Sequence, residues 1–293
     1  MCSIWGTTWL GIKVSLRYVP PATGAGFRFI LAGLVMYALA AALGRTIDPR
    51  RLPWSVVFVF ATCLFGLNYM LTYTAETHIS SGLTAVLFGV LPFFMFLFGH
   101  YLVDEKTRPA TWAGATLAFA GVGLISFSSG MHGSFWYALA VVGAACTSAF
   151  ANVYAKRHAH NDPLVTLPPS MLLAGIFVTI FGLLSEPFDR TRAFSVASLG
   201  AIAYLAIAGS ALAFFLNLWL LKHVRAWIVG MSALIIPVIA VVVGIVFGGE
   251  QFGAKEAAGA ALVIAGVWIA LRTDAAALSK GEPAATEYPP QSS

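Results

Sequence analysis

Three ionisable side chains interrupt long apolar stretches of the sequence: Lys13, Arg28 and Glu76. A charge at the centre of a membrane helix is disfavoured by about 2.5–3.5 kcal/mol on insertion scales, so it persists where something compensates for it. Arg28 stays charged at any physiological pH and is therefore suited to hold an anionic group such as a carboxylate. Glu76 is a carboxyl group in an apolar setting, which makes it a candidate for exchanging a proton. We therefore expect a solute path close to these side chains.

Structural roles compete with these chemical ones. Lys13 and Glu76 lie near the ends of their apolar stretches, from which long side chains can reach the membrane surface. Arg28 can instead pair with backbone carbonyls or with Glu76, in which case the loss of one charge would expose the other. The sequence leaves both interpretations open.

A polar and aromatic stripe precedes Glu76. Asn68 and Thr72 are four residues apart, as are Tyr69 and Tyr73, so each pair shares a helix face. Such a stripe predicts either the lining of a solute cavity or polar contacts between helices. The other candidates for the same path are Trp9, Asn152, Tyr154, Ser210, Asn217 and Trp219.

Two prolines, Pro92 and Pro237, lie in the middle of apolar stretches, where each removes a backbone hydrogen bond and permits a kink. They are candidate hinges for alternating access, or they only shape their helices. Gly244 and Gly248 form a GxxxG pair, which predicts close helix packing or a dimer face.

No motif for catalysis or cofactor binding is present. Cys2, Cys63 and Cys146 are isolated in apolar surroundings, and His158 and His160 have no neighbouring carboxylate or thiol. The sequence also lacks a Walker loop, a GxSxG elbow and an HExxH pair. We therefore expect no catalytic residue, no metal and no cofactor.

The composition indicates a membrane protein. Of 293 residues, 59% are apolar and 10% charged, with a mean hydropathy of +0.84, whereas soluble domains are roughly a quarter charged. The formal charge of +5 comes from short basic clusters between apolar runs, which is typical of membrane-protein loops. The predicted partners are the lipid bilayer and a small solute, with no nucleic acid, for a monomer or a homodimer.

The apolar stretches predict an all-α protein with ten transmembrane helices. A spanning helix needs about 20 apolar residues. Seven uncharged stretches qualify: 54–75, 79–103, 109–131, 134–155, 163–185, 193–221 and 226–249. Three weaker ones cover 1–17, 21–44 and 257–271, and the polar tail 274–293 is predicted to be disordered.

The basic residues predict the orientation. Those outside the apolar stretches cluster after even-numbered spans, namely Arg45, Arg50, Arg51, Lys106, Arg108, Lys156, Arg157, Lys222, Arg225, Arg272 and Lys280. The opposite side has Arg17, Arg190, Arg192 and Lys255. We expect the protein in the cytoplasmic (inner) membrane of the cell. The positive-inside rule then places the more basic side, and with it both termini, in the cytoplasm.

The sequence repeats itself at an offset of 145 residues. Residues 113–115 and 258–260 both read Ala-Gly-Ala, and Pro92 corresponds to Pro237. Glu105 corresponds to Glu250 in the same way. These matches indicate two homologous halves.

The halves are 1–131 and 132–273, with five predicted spans each. An odd number of spans makes the second half start on the opposite side of the membrane, so the two repeats are inverted. Inverted repeats recur in secondary transporters, with the solute site near the midplane between them.

The chain resembles the drug/metabolite transporter superfamily in its EamA-type branch, over residues 1 to about 272. The resemblance rests on the stretch 5–13, on Pro20-Pro21 with Phe27-Arg28-Phe29, on 79–87 with Pro92, and on Glu105 and Glu250. It implies ten spans in two EamA repeats that carry small organic solutes such as amino acids, metabolites or drugs, often outward. It implies no shared catalytic residue and no substrate motif.

We therefore expect a secondary transporter that exports a small organic metabolite by alternating access. An importer or exchanger of the same fold is an alternative. A membrane-embedded lipid-modifying enzyme is another, but it would need clustered His, Asp or Glu at membrane depth, where only Glu76 is found. A channel more often arises from a ring of smaller subunits.

Overall fold

The computed structural model describes residues 1–103, 109–128, 134–158, 162–223 and 232–279, and every regular element in these ranges is helical. A short helix, Arg190–Ala193, lies between the long helices that end at Ser185 and begin at Val196. The long helices, labelled in chain order, are α1 (Cys2–Ser15), α2 (Pro21–Ala42), α3 (Trp54–Val59, Phe60–Leu67 and Asn68–Glu76), α4 (Ser81–Phe88 and Leu91–Val103), α5 (Pro109–Ser128), α6 (Ser134–Arg157), α7 (Pro163–Ser185), α8 (Val196–Ala206, Ile207–Leu212 and Ala213–His223), α9 (Ser232–Gly248) and α10 (Ala254–Ser279).

Six of these helices are long and apolar enough to cross a membrane: α2, α3, α4, α6, α7 and α8. Shorter apolar helices cover Trp112–Leu124, Ile235–Gly248 and Ala257–Ala270 within α5, α9 and α10. The prediction of an all-helical, multi-pass membrane protein is therefore confirmed, whereas the count of ten spans stays a prediction. The span predicted at 21–44 was among the weakest because it contains Arg28, yet α2 is one of the six.

Some predicted features lie outside the described residues. These are Glu105, Lys106, Arg108, His160, Arg225, Lys280, the junction of the two predicted halves at 131–132, and the tail beyond 279.

One prediction is wrong at its edge, because α10 continues to Ser279 and so includes the first residues of the predicted disordered tail. Alanine and leucine favour the helix strongly, and residues 275–278 are three alanines and a leucine.

Two helices contain π-helical turns, which the sequence did not predict. The turns lie at Phe60–Leu67 in α3 and at Ile207–Leu212 in α8. A π-helical turn widens the backbone and leaves carbonyl groups displaced from the regular ladder, and such turns are frequent at functional sites. The two segments overlap at the 145-residue offset of the sequence repeat.

Glycines bring two helix pairs into backbone contact. In the pair α2/α7, a Cβ built on Gly26 would lie 2.6 Å from the Thr179 nitrogen, and one on Gly182 would lie 2.5 Å from the Thr23 nitrogen. The residue numbers rise on one helix as they fall on the other, so the helices are antiparallel. Small residues permit this approach and drive helix association in lipid.

The second glycine-packed pair is α5/α10. A Cβ on Gly114 would lie 2.5 Å from the Gly266 carbonyl oxygen, and one on Gly121 would lie 2.5 Å from the Gly259 oxygen. The pair is again antiparallel. Gly114 and Gly259 are equivalent in the sequence repeat, as are Gly121 and Gly266. Gly114 therefore packs on the equivalent of Gly121, and Gly121 packs on the equivalent of Gly114.

The helix ends meet on two sides of the protein. On one side, the Arg45 guanidinium lies 3.5 Å from the Asp162 carboxylate and joins the ends of α2 and α7. On the other, the Arg192 guanidinium donates to the Arg17 carbonyl at 3.0 Å. We call the first the basic side. The second, which carries the loops 16–20, 77–80, 186–195 and 249–253, we call the glutamate side.

Candidate functional site

Arg28 and Glu76 are the two most buried charged side chains of the described residues. Arg28 has 1% of its surface exposed. Its Nε donates to the Ser210 hydroxyl at 2.7 Å, and its Nη2 donates to the Gly209 carbonyl at 3.2 Å. Both acceptors lie in the π-helical turn of α8, about midway along the apolar stretch Val196–Leu220. Arg28 therefore leaves α2 near its first turns but places its charge at mid-helix depth, between the two predicted halves.

The π-helical turn of α8 receives this guanidinium because Gly209 has no side chain. A Cβ at Gly209 would lie 2.6 Å from Thr8 Cγ2 and 3.4 Å from Arg28 Nη2. The Gly209 carbonyl also accepts a hydrogen bond from the Trp5 indole N–H at 3.3 Å. One displaced carbonyl thus joins α1, α2 and α8.

Aromatic rings cover the other face of Arg28. Its Cζ lies 4.6 Å from the centre of the Tyr69 ring and 5.4 Å from that of Phe29. A desolvated cation over an aromatic face gains about 2 kcal/mol. The rings therefore compensate part of the cost of burying the charge and fix the guanidinium plane.

Several polar atoms around Arg28 have no hydrogen-bond partner. They are Arg28 Nη1, the Tyr73 hydroxyl and both carboxyl oxygens of Glu76, and all are buried. Tyr73 and Glu76 are close enough to interact electrostatically with Arg28. Buried polar groups are satisfied in more than about nine cases in ten, so a cluster of unpartnered ones indicates a place for a ligand.

Arg28 and Glu76 do not form a salt bridge with each other. Among the described residues the ion pairs are Arg45–Asp162 and Arg51–Asp48. The direct pairing considered from the sequence is therefore not the arrangement in this structure, and the guanidinium binds neutral acceptors on α8 instead.

Lys13 closes the end of α3. Its ammonium donates to the Glu76 carbonyl at 2.6 Å and to the Ile79 carbonyl at 2.9 Å. Carbonyls at a helix C-terminus have no partner within the helix and attract a cation. Lys13 also interacts electrostatically with the Glu76 carboxyl group.

The stripe on α3 is partly satisfied within its own helix. The Asn68 amide donates to the Leu64 carbonyl at 3.0 Å, and the Thr72 hydroxyl donates to the Asn68 amide oxygen at 3.4 Å. Both side chains are buried. Tyr69 and Tyr73 are the members of the stripe that face Arg28.

The other candidates lie away from this cluster. Asn152 donates to the Ser148 carbonyl of its own helix at 2.8 Å, and Tyr154 packs near the basic side, its ring 4.4 Å from that of His158. Trp219 is 45% exposed and Asn217 is half-buried on α8. Trp9 packs against Phe88, with ring centres 5.5 Å apart. Of the two candidate tryptophans, only Trp9 is buried.

The two candidate hinges differ. α4 is interrupted at Gly89–Val90, and Pro92 is the second residue of the helical piece that follows. Pro237 lies inside α9, and a Cβ on Gly89 would lie 3.8 Å from Pro237 Cγ. The interruption in one helix therefore rests against the proline of its predicted equivalent.

Sequence reasoning missed Gly209 and Trp5, which complete the Arg28 environment. The available signal was the Gly209–Ser210 pair within an apolar run, since Gly/Ser pairs are a known cause of helix distortion.

Two apolar grooves, of about 670 Å³ between α9 and α10 and about 230 Å³ between α2 and α8, lack polar groups to orient a solute.

Comparison with known proteins agrees with this architecture. The chain is 28% identical over 253 residues to the "Uncharacterized inner membrane transporter YedA" of Escherichia coli, covering 86% of this chain and 82% of that protein. It is 24% identical to the "Probable amino-acid metabolite efflux pump" of Salmonella typhimurium, covering 91% and 90%. A solved crystal structure shares the fold with a TM-score of 0.71 at 22% identity, over 92% and 94% of the two chains.

The model of the EamA-like transporter family matches the chain twice, at residues 1–127 and 135–272. This match covers most of the sequence, including every residue that surrounds Arg28, and it agrees with the resemblance to the drug/metabolite transporter superfamily. Transport, and not catalysis, is the activity that the family name and the names of the relatives describe. The chain belongs to the EamA-like transporter family of multi-pass membrane proteins.

Proposed function

We propose that this transporter is a secondary exporter of a small organic metabolite, an amino acid or a drug-like solute, that works by alternating access. The observation that carries the proposal is the buried guanidinium of Arg28, which interacts with the Tyr73 hydroxyl and the Glu76 carboxyl group. No hydrogen bond of normal geometry satisfies Arg28 Nη1, that hydroxyl or either carboxyl oxygen. Each buried unsatisfied group costs about 1–3 kcal/mol. A solute that binds these atoms would offset that cost.

An amino acid suits this arrangement. Its carboxylate would bind the free N–H of Arg28 and the Tyr73 hydroxyl, and its ammonium group would face Glu76. The name of the Salmonella relative, an amino-acid metabolite efflux pump, supports the same solute class. Proton exchange at Glu76 would couple the solute to the proton gradient, since a carboxyl group so placed binds either a proton or a cation.

Packing supports the proposed architecture of ten spans in two inverted repeats. α2 packs on α7 and α5 on α10, and α1 packs on α9 as α6 packs on α4. If α1 is exchanged with α6, α2 with α7, α3 with α8, α4 with α9 and α5 with α10, the same set of helix pairs results. The π-helical turns of α3 and α8 obey the same exchange.

The proposed orientation, with both termini and the basic side in the cytoplasm, predicts the outcome of reporter fusions. Alkaline phosphatase is active only outside the cytoplasm, so its fusion after Asp189 is expected to be active and its fusion after Arg51 inactive. Green fluorescent protein at the same positions should give the reverse pattern. Equal activity at both positions would exclude the proposed topology.

Two alternatives to an exporter are a lipid-modifying enzyme and an importer or exchanger of the same fold. Among the described residues no three His, Cys, Asp or Glu side chains are grouped, so a metal-dependent lipid-modifying enzyme has no support here. An importer or exchanger of the same fold would use the same Arg28 cluster. Amino acids inside and outside cells that do and do not express the protein should be measured by mass spectrometry. An exporter raises the external pool of one or a few of them, and equal pools in both strains would refute amino-acid export.

Replacing Glu76 by glutamine tests the coupling. The amide keeps the shape of the side chain but cannot exchange a proton, so net efflux driven by a pH gradient from proteoliposomes is expected to fall at least tenfold. Exchange of labelled for unlabelled solute needs no proton movement and loses only the contact of Glu76 with the solute ammonium group, so it should fall clearly less than net efflux does. Asp189→Asn, an exposed change on the same side, serves as the control. Equal loss of both activities, or of neither, would remove Glu76 from the coupling step.

A further inference from the structure

Two glutamates on the glutamate side each bind the first turn of a helix in the other half of the chain. Glu250 accepts hydrogen bonds from the Ser81 N–H at 2.7 Å, the Ser81 hydroxyl at 2.8 Å and the Gly82 N–H at 3.1 Å. Glu186 accepts them from the Thr23 N–H and hydroxyl, both at 2.9 Å. The N–H groups of a first turn have no partner within their own helix and favour a nearby negative charge.

Glycines make room for both carboxylates. α9 ends at Gly248, and the next residue, Gly249, has a φ of +64° in the left-handed region and turns the chain back, so that the Glu250 N–H donates to the Gly244 carbonyl at 3.0 Å. A Cβ on Gly244 would lie 3.1 Å from Glu250 Cδ. The GxxxG pair in α9 therefore serves close internal packing at this contact. Gly182 accommodates Glu186 in the same way, with a Cβ 3.0 Å from Glu186 Oε2.

The two contacts are alike in chemistry but differ in what they join. Glu186 lies at the end of the α2/α7 pair, which glycines hold together along its length. Glu250 instead binds Ser81–Phe88, an eight-residue piece of helix that ends at the interruption at Gly89–Val90. Because that interruption rests on Pro237 of α9, the Glu250 contact joins an interrupted helix to a helix that contains a proline.

The Glu250 contact also lies next to the Arg28 cluster. The Glu250 carboxylate interacts electrostatically with the Glu76 carboxyl group. The chain runs from Glu76 to Ser81 through the turn whose carbonyls bind Lys13. On the far side of the same piece of helix, Phe88 packs on Trp9. A movement of Ser81–Phe88 would therefore uncover Glu76 from the glutamate side.

From this geometry we infer that Glu250 is the releasable latch of a gate on the glutamate side, and that Glu186 is a permanent fastening. This inference rests on the proposed transport cycle, in which the solute path must open to that side. The gate is the piece Ser81–Phe88, and it opens when the carboxylate leaves the first turn of α4.

The packing behind each contact, and not the solvation of its carboxylate, distinguishes the two. Both sets of hydrogen bonds are part-buried, so water can replace either carboxylate's partners at an enthalpy close to that of the direct bond. Separating α2 from α7 would open an interface that is packed through glycines along its length, at Gly26, Gly33, Gly175 and Gly182. Its dispersion contacts would be lost without replacement. The piece Ser81–Phe88 meets the backbone of α9 closely at one glycine, Gly82, whose Cβ would lie 3.1 Å from Val241 Cα.

The test measures access to a buried cysteine and needs no solute. Cys2, Cys63 and Cys146 are replaced by alanine, and Thr72, which is 3% exposed and one turn from Glu76, by cysteine. A membrane-impermeant maleimide is applied to right-side-out and to inverted vesicles. Glu250→Gln removes the charge and replaces one of the two acceptor oxygens by an NH2 group, which then opposes either the Ser81 donors or the Gly82 N–H. Labelling from the glutamate side is therefore expected to rise at least fivefold. Labelling from the basic side should not change.

Glu186→Gln is the matched control, because it removes the same charge from the same kind of contact, and its labelling is expected to stay within twofold of the parent. Ser81→Ala removes one donor only and is expected to give a smaller rise, which keeps the test decisive if Glu250→Gln fails to fold. Unchanged labelling in a folded Glu250→Gln, or an equal rise in both glutamine variants, overturns the inference. Failure of amino-acid export would leave these labelling results intact, so the two proposals fail separately.

Discussion

Transport is expected to be lost when Arg28 is replaced by alanine, and to fall at least tenfold when it is replaced by lysine. Lysine keeps the charge, but its three N–H groups are on one atom, so it cannot reach at once the separate positions of Nε, Nη2 and Nη1 that serve Ser210, Gly209 and a solute. The measurement is exchange of the exported amino acid in proteoliposomes. The folded fraction is followed separately by size-exclusion chromatography.

The control for this experiment is Arg192→Ala. Arg192 also donates from its guanidinium to a backbone carbonyl, that of Arg17, but it does so at the exposed glutamate side. Its loss is expected to leave exchange within twofold of wild type. If Arg28→Ala folds and exchanges solute as fast as Arg192→Ala, then Arg28 only joins helices, and the solute binds elsewhere.

A large effect on stability is expected at Gly26. Alanine there would place its Cβ 2.6 Å from the Thr179 nitrogen and 2.8 Å from Thr179 Cα, and backbone atoms cannot move aside as a flexible side chain can. Overpacking of this kind costs about 1–3 kcal/mol. Gly26→Ala should therefore lower the midpoint of thermal unfolding in detergent, and Gly26→Leu should yield no folded protein.

Gly200→Ala provides the opposite expectation. Gly200 is also helical, in α8, but a Cβ there meets nothing within 4 Å. Alanine favours a helix over glycine by about 0.5–1 kcal/mol, so the midpoint should stay the same or rise. Equal midpoints for the two alanine variants would mean that the α2/α7 contact contributes nothing to stability.

The sequence predicted most of the architecture because lipid simplifies the problem. Long uncharged stretches must form helices, since unpaired backbone groups have no water to bind. The repeated Ala-Gly-Ala of 113–115 and 258–260 marked a helix pair that packs through Gly114 and Gly259. Charge patterning singled out Arg28 and Glu76, and the structure places both in one buried cluster.

The sequence did not predict which face of each helix is buried. In a soluble helix the apolar side faces the core, but here both lipid and protein accept apolar side chains, so Trp9 and Trp219 look alike in sequence. The structure buries the first and leaves the second 45% exposed. The depth of Arg28 was likewise hidden, because it depends on a π-helical turn 181 residues away in the chain.

The pairing of Gly114 with Gly266 and of Gly121 with Gly259 has an evolutionary consequence. In an isologous interface residue i of one element contacts residue j of the other, and residue j of the first contacts residue i of the second. Two identical polypeptides can form such an interface as well as two different ones can. A single half, inserted in both orientations, would form the same crossing as a homodimer. Fusion then frees the halves to diverge. Here one half has kept Lys13, Arg28 and Glu76, while α7 and the apolar stretch of α8 carry no charged side chain and offer only a carbonyl and a hydroxyl to the cluster.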